Sequence, residues 1–192
     1  MKLAIFASGQ GSNAQVLIEQ AQAGTLGATI EILISDQLQA GALANAQQAG
    51  IEARAFSPKA FADKHAYEQA VLACLREHQV DALILAGYMR LIGPTLLAAY
   101  PERIINTHPS LLPAFPGKDA VGQALAAHAT HAGVTVHYID AGMDTGPIIA
   151  QQRVKVMPHD DHDTLTARIK AAEHALYPAC VHDLMTVWSR SQ

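Results

Sequence analysis

Cysteine is scarce in this 192-residue sequence, which contains only Cys74 and Cys180. Because the two do not form a CxxC pair, neither a zinc ribbon nor a dithiol redox site is expected. Each cysteine lies in an apolar, helix-like pattern, which is typical of a buried thiol in a reducing compartment. The sequence therefore predicts two free, buried thiols and a cytoplasmic location.

Long apolar runs and basic clusters are also missing. No segment reaches the roughly 20 apolar residues of a membrane span, and the first residues, MKLAIFASGQG, favour a strand over a signal peptide. The chain has 13 Lys and Arg against 17 Asp and Glu, which gives a net charge of −4, and no run of three basic residues. A nucleic-acid partner is therefore not expected, although a small anion held by backbone amides stays open.

Strand-like and helix-like segments alternate along the chain, without repeats or linkers. Strands are predicted at 2–7, 28–35, 51–56, 81–87, 103–106, 133–140 and 146–154, and helices at 13–24, 39–50, 63–79, 93–100, 119–129 and from Asp163 or Thr164, as the cap, past Pro178. This order predicts one α/β domain over residues 1–192, a Rossmann-like three-layer sandwich. Its sheet is mainly parallel, with the last two strands as an antiparallel addition.

A glycine-rich loop follows the first strand. Gly9, Gly11 and Ala14 have the spacing G-x-G-x-x-A, the weak form of a dinucleotide fingerprint. Glycines allow a tight turn, and free amides at the start of a helix hold an anion, to which Ser12 and Asn13 add side-chain donors. The loop lacks G-K-[ST], so an ATP-type phosphate loop is excluded. The loop alone does not separate a monophosphate from NAD, and glycines that serve only the turn remain the alternative to an anion site.

An NAD-dependent oxidoreductase is therefore one alternative. Asp36 lies at the end of the second strand, where such enzymes place the acid that binds a ribose. This function leaves the polar residues in the centre of the chain without a hydride partner. A binding module without turnover is a further alternative.

Three polar residues in the centre of the chain favour acyl chemistry. Asn106 ends a predicted strand, His108 follows it, and Asp144 lies in the glycine-rich turn DAGMDTGP. Because Pro109 comes next, His108 is not expected inside a helix or a central strand. No G-x-S-x-G elbow is present, so the trio suits attack by an external nucleophile: two donors for an oxyanion and a carboxylate that keeps the imidazole charged. A structural loop histidine remains the alternative for His108.

Four motifs, in order and at matching spacing, carry a resemblance to a known family. They are SGQGSN at 8–13, LAGYMRLI at 85–92, INTHPSLLPAFPG at 105–117 and VTVHYIDAGMDTGPII at 134–149. Together they resemble the phosphoribosylglycinamide formyltransferases, folate-dependent enzymes of de novo purine biosynthesis. The central loop and the DAGMDTGP turn are shared with a wider formyl-folate family, and the resemblance extends through EHALYP at 173–178.

The resemblance implies transfer of a formyl group from 10-formyltetrahydrofolate, the co-substrate, to the amine of glycinamide ribonucleotide without a metal. It implies a chain that acts as a monomer or a homodimer on small molecules, away from membranes and nucleic acids. It assigns catalysis to Asn106, His108 and Asp144, the ribonucleotide phosphate to Gly11, Ser12 and Asn13, a ribonucleotide contact to Glu173, and the folate to Lys64, Met89, Arg90, Leu91, Ile92 and Asn106.

A few positions depart from the family pattern or fit other sites. Lys64 stands where several members have arginine, which keeps the charge but loses the bidentate fork. Thr107 replaces a more usual apolar residue. The histidine pairs in 128–131 and 159–163 lack a third ligand, so they are interpreted as surface. Within the wider family, a formyl-folate hydrolase and a formyl-methionyl-tRNA enzyme would each be expected to carry a further domain.

Overall fold

The computed structural model describes residues 1–190 as an α/β domain. Its strands are β1 (Lys2–Phe6), β2 (Thr29–Ser35), β3 (Glu52–Ala55), β4 (Ala82–Leu85), β5 (Ile104–His108), β6 (His131–Tyr138) and β7 (Ile148–Lys155). Its helices are α1 (Ser12–Gln22), α2 (Gly41–Gln48), α3 (Lys64–Glu77), α4 (Pro94–Ala99), α5 (Ala120–Ala126) and α6 (His162–Ser189), with a short 3-10 turn at Pro58–Ala60. The predicted domain, 1–192, also includes residues 191 and 192, which lie outside the described residues.

The seven strands form one sheet in the order β3-β2-β1-β4-β5-β6-β7. The pairs from β3 to β5 are parallel, and the pairs β5–β6 and β6–β7 are antiparallel. This confirms the mainly parallel sheet with an antiparallel addition. The chain reverses its direction of travel across the sheet between β1 and β4, and clefts beyond the carboxyl ends of strands form at such a switch point.

Apolar side chains fill both faces of the sheet. On one face Leu17 of α1 and Tyr177 of α6 pack against β1 and β4, and on the other Val71 of α3 and Leu96 of α4 pack against the same strands. Strands β1 and β4 are buried on both faces, which explains why their sequences are continuous apolar runs. The three-layer sandwich of the prediction is confirmed.

Two local predictions were wrong. The strand predicted at 103–106 extends further, so His108 is the last residue of β5, paired with Thr135 of β6, and not a loop residue. The extended backbone that Pro109 imposes on its neighbour is compatible with a strand end. Helix α6 begins at His162, and its cap is Asp161, which forms a capping box with Thr164. The helix does continue through the buried Pro178, as predicted.

The described residues also bear on two predictions from composition, the burial of both cysteines and the lack of a membrane span. Cys74 and Cys180 are buried free thiols, and burial raises the pKa of Cys180 to about 11. Across residues 1–190, none of the helices combines the length and the apolar character that a bilayer crossing requires.

Candidate active site

The candidate site lies beyond the carboxyl ends of three neighbouring parallel strands, β1, β4 and β5. The glycine loop follows β1, the loop 86–93 follows β4, and the proline-rich loop follows β5. Ser8 N donates to Gly87 O at 3.0 Å, so the first two loops are in direct contact. Parallel pairing thus gathers segments that are separated by about 100 residues of sequence.

The strand pairing brings Asn106 and His108 to one face of the sheet. The two are separated by one residue in β5, so their side chains point the same way. Asn106 lies opposite His137 in the antiparallel β5–β6 pair, and Asn106 Nδ2 is 3.3 Å from His137 Nε2. Thr107 points to the opposite face, towards α6.

His108 is buried between two acceptors. Its Nδ1 lies 3.4 Å from Asp144 Oδ2, and its Nε2 lies 2.9 Å from the carbonyl oxygen of Phe115. The side chains of His108 and Asp144 are 8% and 12% exposed, so little water screens the pair. One ring nitrogen of His108 thus faces a carboxylate and the other faces a backbone carbonyl.

Asp144 depends on the turn between β6 and β7 for its position. It has φ +55°, a left-handed backbone, and its Oδ2 accepts from Gly117 N at 2.8 Å. Asp140 stabilises the turn, because its Oδ1 accepts from Gly142 N and from the Thr145 hydroxyl. The carboxylate is therefore aimed at His108 by backbone contacts on both sides of the site.

His137 was not predicted to belong to the site, yet this residue contacts two members of the trio. Its Nε2 lies 3.7 Å from Asp144 Oδ1 in addition to the Asn106 contact. Burial lowers the pKa of His137, and Nδ1 donates to Tyr138 O at 2.9 Å, so Nε2 carries no proton at neutral pH. The contact with Asp144 is therefore not an ion pair, and Nε2 acts as an acceptor for the Asn106 amide.

The glycine loop has the geometry that an anion requires. Gly11 has φ +77° and precedes α1, whose first internal bond is Gln15 N to Gly11 O. The amides of Ser12 and Asn13 thus lie ahead of the helical ladder, where the helix dipole favours negative charge. A Cβ on Gly11 would lie 2.5 Å from the Cβ of Ala42, so a side chain does not fit there.

A buried carboxylate connects this loop to β5. Glu173 of α6 is 6% exposed, and it accepts from Asn13 Nδ2 at 3.3 Å and from the Thr107 hydroxyl at 3.2 Å. Burial raises the pKa of Glu173, and the two hydrogen bonds partly offset that effect. Within residues 1–190, Asn13 Oδ1 is buried without a partner, so the Asn13 amide is only half satisfied.

Four of the six residues assigned to the folate lie in the loop 86–93 itself: Met89, Arg90, Leu91 and Ile92. Met89 and Leu91 are 72% and 50% exposed, and the Arg90 guanidinium lies 5.3 Å from the centre of the Tyr67 ring. Ile92 is buried in the core, so it presents its backbone rather than its side chain. Lys64 is the first residue of α3. Its side chain lies against this loop, as a Cβ added to Gly93 would be 2.7 Å from Lys64 Cε.

Asn106, His108 and Asp144 do not line the cleft of about 630 Å³ that flanks the glycine loop beyond β1 and β2. Asp36 lies in its wall, 4% exposed, and both carboxylate oxygens already accept, from the Ser8 hydroxyl at 2.5 Å and from Gln37 Nε2 at 2.9 Å. A ribose would have to displace these donors. The arrangement therefore disfavours the NAD alternative.

One group of side chains within residues 1–190 has the spacing of metal ligands, and it lies on α3. Ligand atoms of Cys74, Glu77 and His78 lie within 4.8 Å of one another. The guanidinium of Arg54 lies among them, 3.5 Å from Cys74 Sγ and 3.1 Å from Glu77 Oε2. The Arg54 guanidinium thus already supplies positive charge to this cluster. That formyl transfer requires no metal remains a prediction.

Comparisons with known proteins identify the family. The model of the family described as "Formyl transferase" matches residues 1–181. Phosphoribosylglycinamide formyltransferase of Bacillus subtilis (strain 168) is 48% identical over 191 residues, which cover 100% of this chain and 98% of the relative.

Solved structures give the same result. The crystal structure of phosphoribosylglycinamide formyltransferase from Bacillus halodurans is 50% identical, has a TM-score of 0.94, and is matched over 96% of this chain and 95% of that one. Glycinamide ribonucleotide transformylase 1 from Geobacillus kaustophilus is 49% identical with a TM-score of 0.93, over 96% and 98% of the two chains. The chain therefore belongs to the formyl transferase family.

Proposed function

We propose that this chain transfers the formyl group of 10-formyltetrahydrofolate to the amine of 5'-phosphoribosylglycinamide. The products are 5'-phosphoribosyl-N-formylglycinamide and tetrahydrofolate, as in de novo purine biosynthesis. The main support is the convergence of Asn106, His108 and Asp144 beside a helix N-terminus suited to a phosphate. Identity of 48% over a full-length relative of that name supports the same substrates.

The two substrates enter from different sides of the trio. The amides of Ser12 and Asn13 and the tight turn at Gly11 bind the phosphate, and Glu173 lies where it can accept from the ribonucleotide. The exposed Met89 and Leu91 provide apolar surface for the folate, and Arg90 provides a cation. The formyl carbon is thereby placed between the amine and the donors on β5.

The chemistry is acyl transfer through a tetrahedral oxyanion. The amine nitrogen forms a bond to the formyl carbon, and the bond from that carbon to N10 of the folate then breaks, while a proton passes from the amine to N10. Asn106 has a second amide hydrogen besides the one directed at His137, and it donates to the oxyanion. His108 exchanges its bond to the neutral Phe115 carbonyl for a stronger one to the charged oxygen. Asp144 balances the charge on His108 and helps order a water for proton transfer.

The test is a turnover assay with the purified chain, 10-formyltetrahydrofolate and glycinamide ribonucleotide. Loss of the formyl-folate that depends on the amine, with formylated ribonucleotide as the product, supports the transferase. Release of formate without the amine would instead identify a hydrolase. Binding of both compounds without any turnover would leave only a binding function, and binding of NADH would restore the oxidoreductase alternative.

A further inference from the structure

The loop 86–93 exposes two of its side chains, while hydrogen bonds hold its backbone. Met89 is 72% exposed and Leu91 is 50% exposed, so their side chains make few contacts that would hold the loop in place. Yet the Met89 amide donates to the Ser8 hydroxyl at 2.9 Å, across 81 residues of sequence. This bond joins the most exposed residue of the loop to the segment that follows β1.

A buried carboxylate orients that hydroxyl. Ser8 has a single hydroxyl proton, which it donates to Asp36 Oδ1 at 2.5 Å, so its lone pairs remain for the Met89 amide. Asp36 is 4% exposed, and Gln37 Nε2 donates to its other oxygen at 2.9 Å. A carboxylate that is buried and fully hydrogen-bonded holds its partners in one geometry, because breaking a bond would leave a charge poorly solvated.

The far end of the same loop is fixed in a similar way. Gly93 N donates to Glu68 Oε1 at 2.5 Å, and Glu68, on α3, is 2% exposed. Just before Met89, the Tyr88 hydroxyl lies 2.7 Å from the Tyr67 hydroxyl of α3. Two buried acids from different elements thus bracket the segment that presents Met89 and Leu91.

We propose that Ser8 and Asp36 are positioning residues for the formyl-folate substrate, which they act on by holding the Met89 amide. The inference rests on the proposed function, because the loop matters for turnover only if it binds the folate. It gives a role to Asp36, whose position just after β2 had indicated only a ribose contact in an NAD enzyme. A hydrogen bond from an exposed loop amide can be replaced by water at little cost to folding, so its loss affects the loop rather than the core.

Ser8→Ala removes the acceptor, and Asp36→Leu removes the group that orients it. Asp36→Asn keeps an acceptor oxygen for Ser8 and serves as the conservative rescue. Ser35→Ala is the matched control, because the Ser35 hydroxyl accepts a hydrogen bond from the backbone N–H of Gln37 at 3.1 Å and makes none with the loop 86–93. The Michaelis constants (KM) for 10-formyltetrahydrofolate and for glycinamide ribonucleotide are measured for each variant, together with hydrogen exchange at the Met89 amide.

Ser8→Ala and Asp36→Leu should raise KM for the formyl-folate about two- to tenfold, the equivalent of one neutral hydrogen bond. KM for the ribonucleotide should stay within about twofold on the same scale, and exchange at Met89 should accelerate. Asp36→Asn and Ser35→Ala should resemble the wild type in both measurements. Unchanged exchange at Met89 in Ser8→Ala, or equal rises in both KM values, would overturn the proposal. Failure of the proposed function would look different, because the wild type itself would then not transfer formyl groups.

Discussion

Asn106 Nδ2 lies 3.3 Å from His137 Nε2, directly across the antiparallel pair β5–β6. Since His137 donates through Nδ1 to Tyr138 O and burial lowers its pKa, the ring is a neutral acceptor towards Asn106. An asparagine amide can be rotated so that either Oδ1 or Nδ2 faces a given neighbour, and this acceptor selects the orientation in which Nδ2 faces His137. His137 therefore determines which group Asn106 offers to a developing oxyanion.

Replacing His137 should consequently reduce kcat rather than substrate affinity. In His137→Leu the Asn106 amide loses its acceptor, and we expect kcat to fall about two- to tenfold, the loss of one neutral hydrogen bond, with little change in either KM. His137→Gln places an amide oxygen near the position of Nε2 and should recover part of the rate. Steady-state kinetics of the three proteins test this. A leucine variant with wild-type kcat, or one with only raised KM values, would contradict the role.

The charge of Asp144 should matter more than its shape. In Asp144→Asn an oxygen can still accept from Gly117 N, so the turn is retained, but the negative charge 3.4 Å from His108 Nδ1 is lost. We expect kcat to fall about 10²–10⁴-fold, the range for one acid–base group, and a similar loss in His108→Ala. Asp183→Asn, at an exposed position on α6, is the control and should leave kcat unchanged. Near-normal turnover in Asp144→Asn would remove that residue from the catalytic role.

The sequence predicted the layers of the fold and the positions of the trio because these depend on local patterns. Apolar runs identify β1 and β4, and the carboxyl ends of parallel strands meet at one edge. The role of His137 was missed because it requires the register Asn106↔His137, which alternation in two separate strands does not determine.

Long-range polar contacts were missed for a related reason. Thr107 was interpreted as a small departure from the family pattern, yet its hydroxyl donates to Glu173, 66 residues away. The contact follows from how α6 packs on the sheet, and no spacing along the chain encodes that packing. The bond from His108 to Phe115 O likewise depends on a loop conformation in which Phe115 has φ +55°.

The glycines at the two ends of α1, Gly11 and Gly24, allow the cost of a steric clash to be separated from the cost of backbone strain. Gly11 and Gly24 have φ +77° and +75°, but an added Cβ meets Ala42 at 2.5 Å in the first case and nothing within 4 Å in the second. Both alanine variants carry the cost of a left-handed backbone, and Gly11→Ala should lose about 1–3 kcal/mol more from overpacking. Denaturant unfolding measures the difference. Gly11→Ala should also raise KM for the ribonucleotide, whereas equal stability losses in the two variants would show that the contact with Ala42 is relieved cheaply.

The Glu173 carboxyl should lower the free energy of unfolding at neutral pH, because its pKa in the folded state is raised, chiefly by burial. Well below the ordinary glutamate pKa of 4.5 the carboxyl is protonated in both states. As pH rises, the unfolded state releases its proton first, so the folded state becomes less stable until the pH passes the folded pKa. Glu173→Gln removes this term and keeps hydrogen-bonding groups for Thr107 and Asn13.

We therefore expect the Tm of Glu173→Gln to exceed that of the wild type at pH 7.5, by about 2–4 °C for each kcal/mol relieved. The difference should shrink towards pH 4.5, where both side chains are neutral. Glu19→Gln, at an exposed position on α1, should show no such trend. If the carboxylate also accepts from the ribonucleotide, the same variant raises KM for that substrate, so greater stability accompanies weaker binding. A lower Tm at pH 7.5 would mean that the ionised carboxylate stabilises the fold through Asn13 and Thr107 more than burial penalises it.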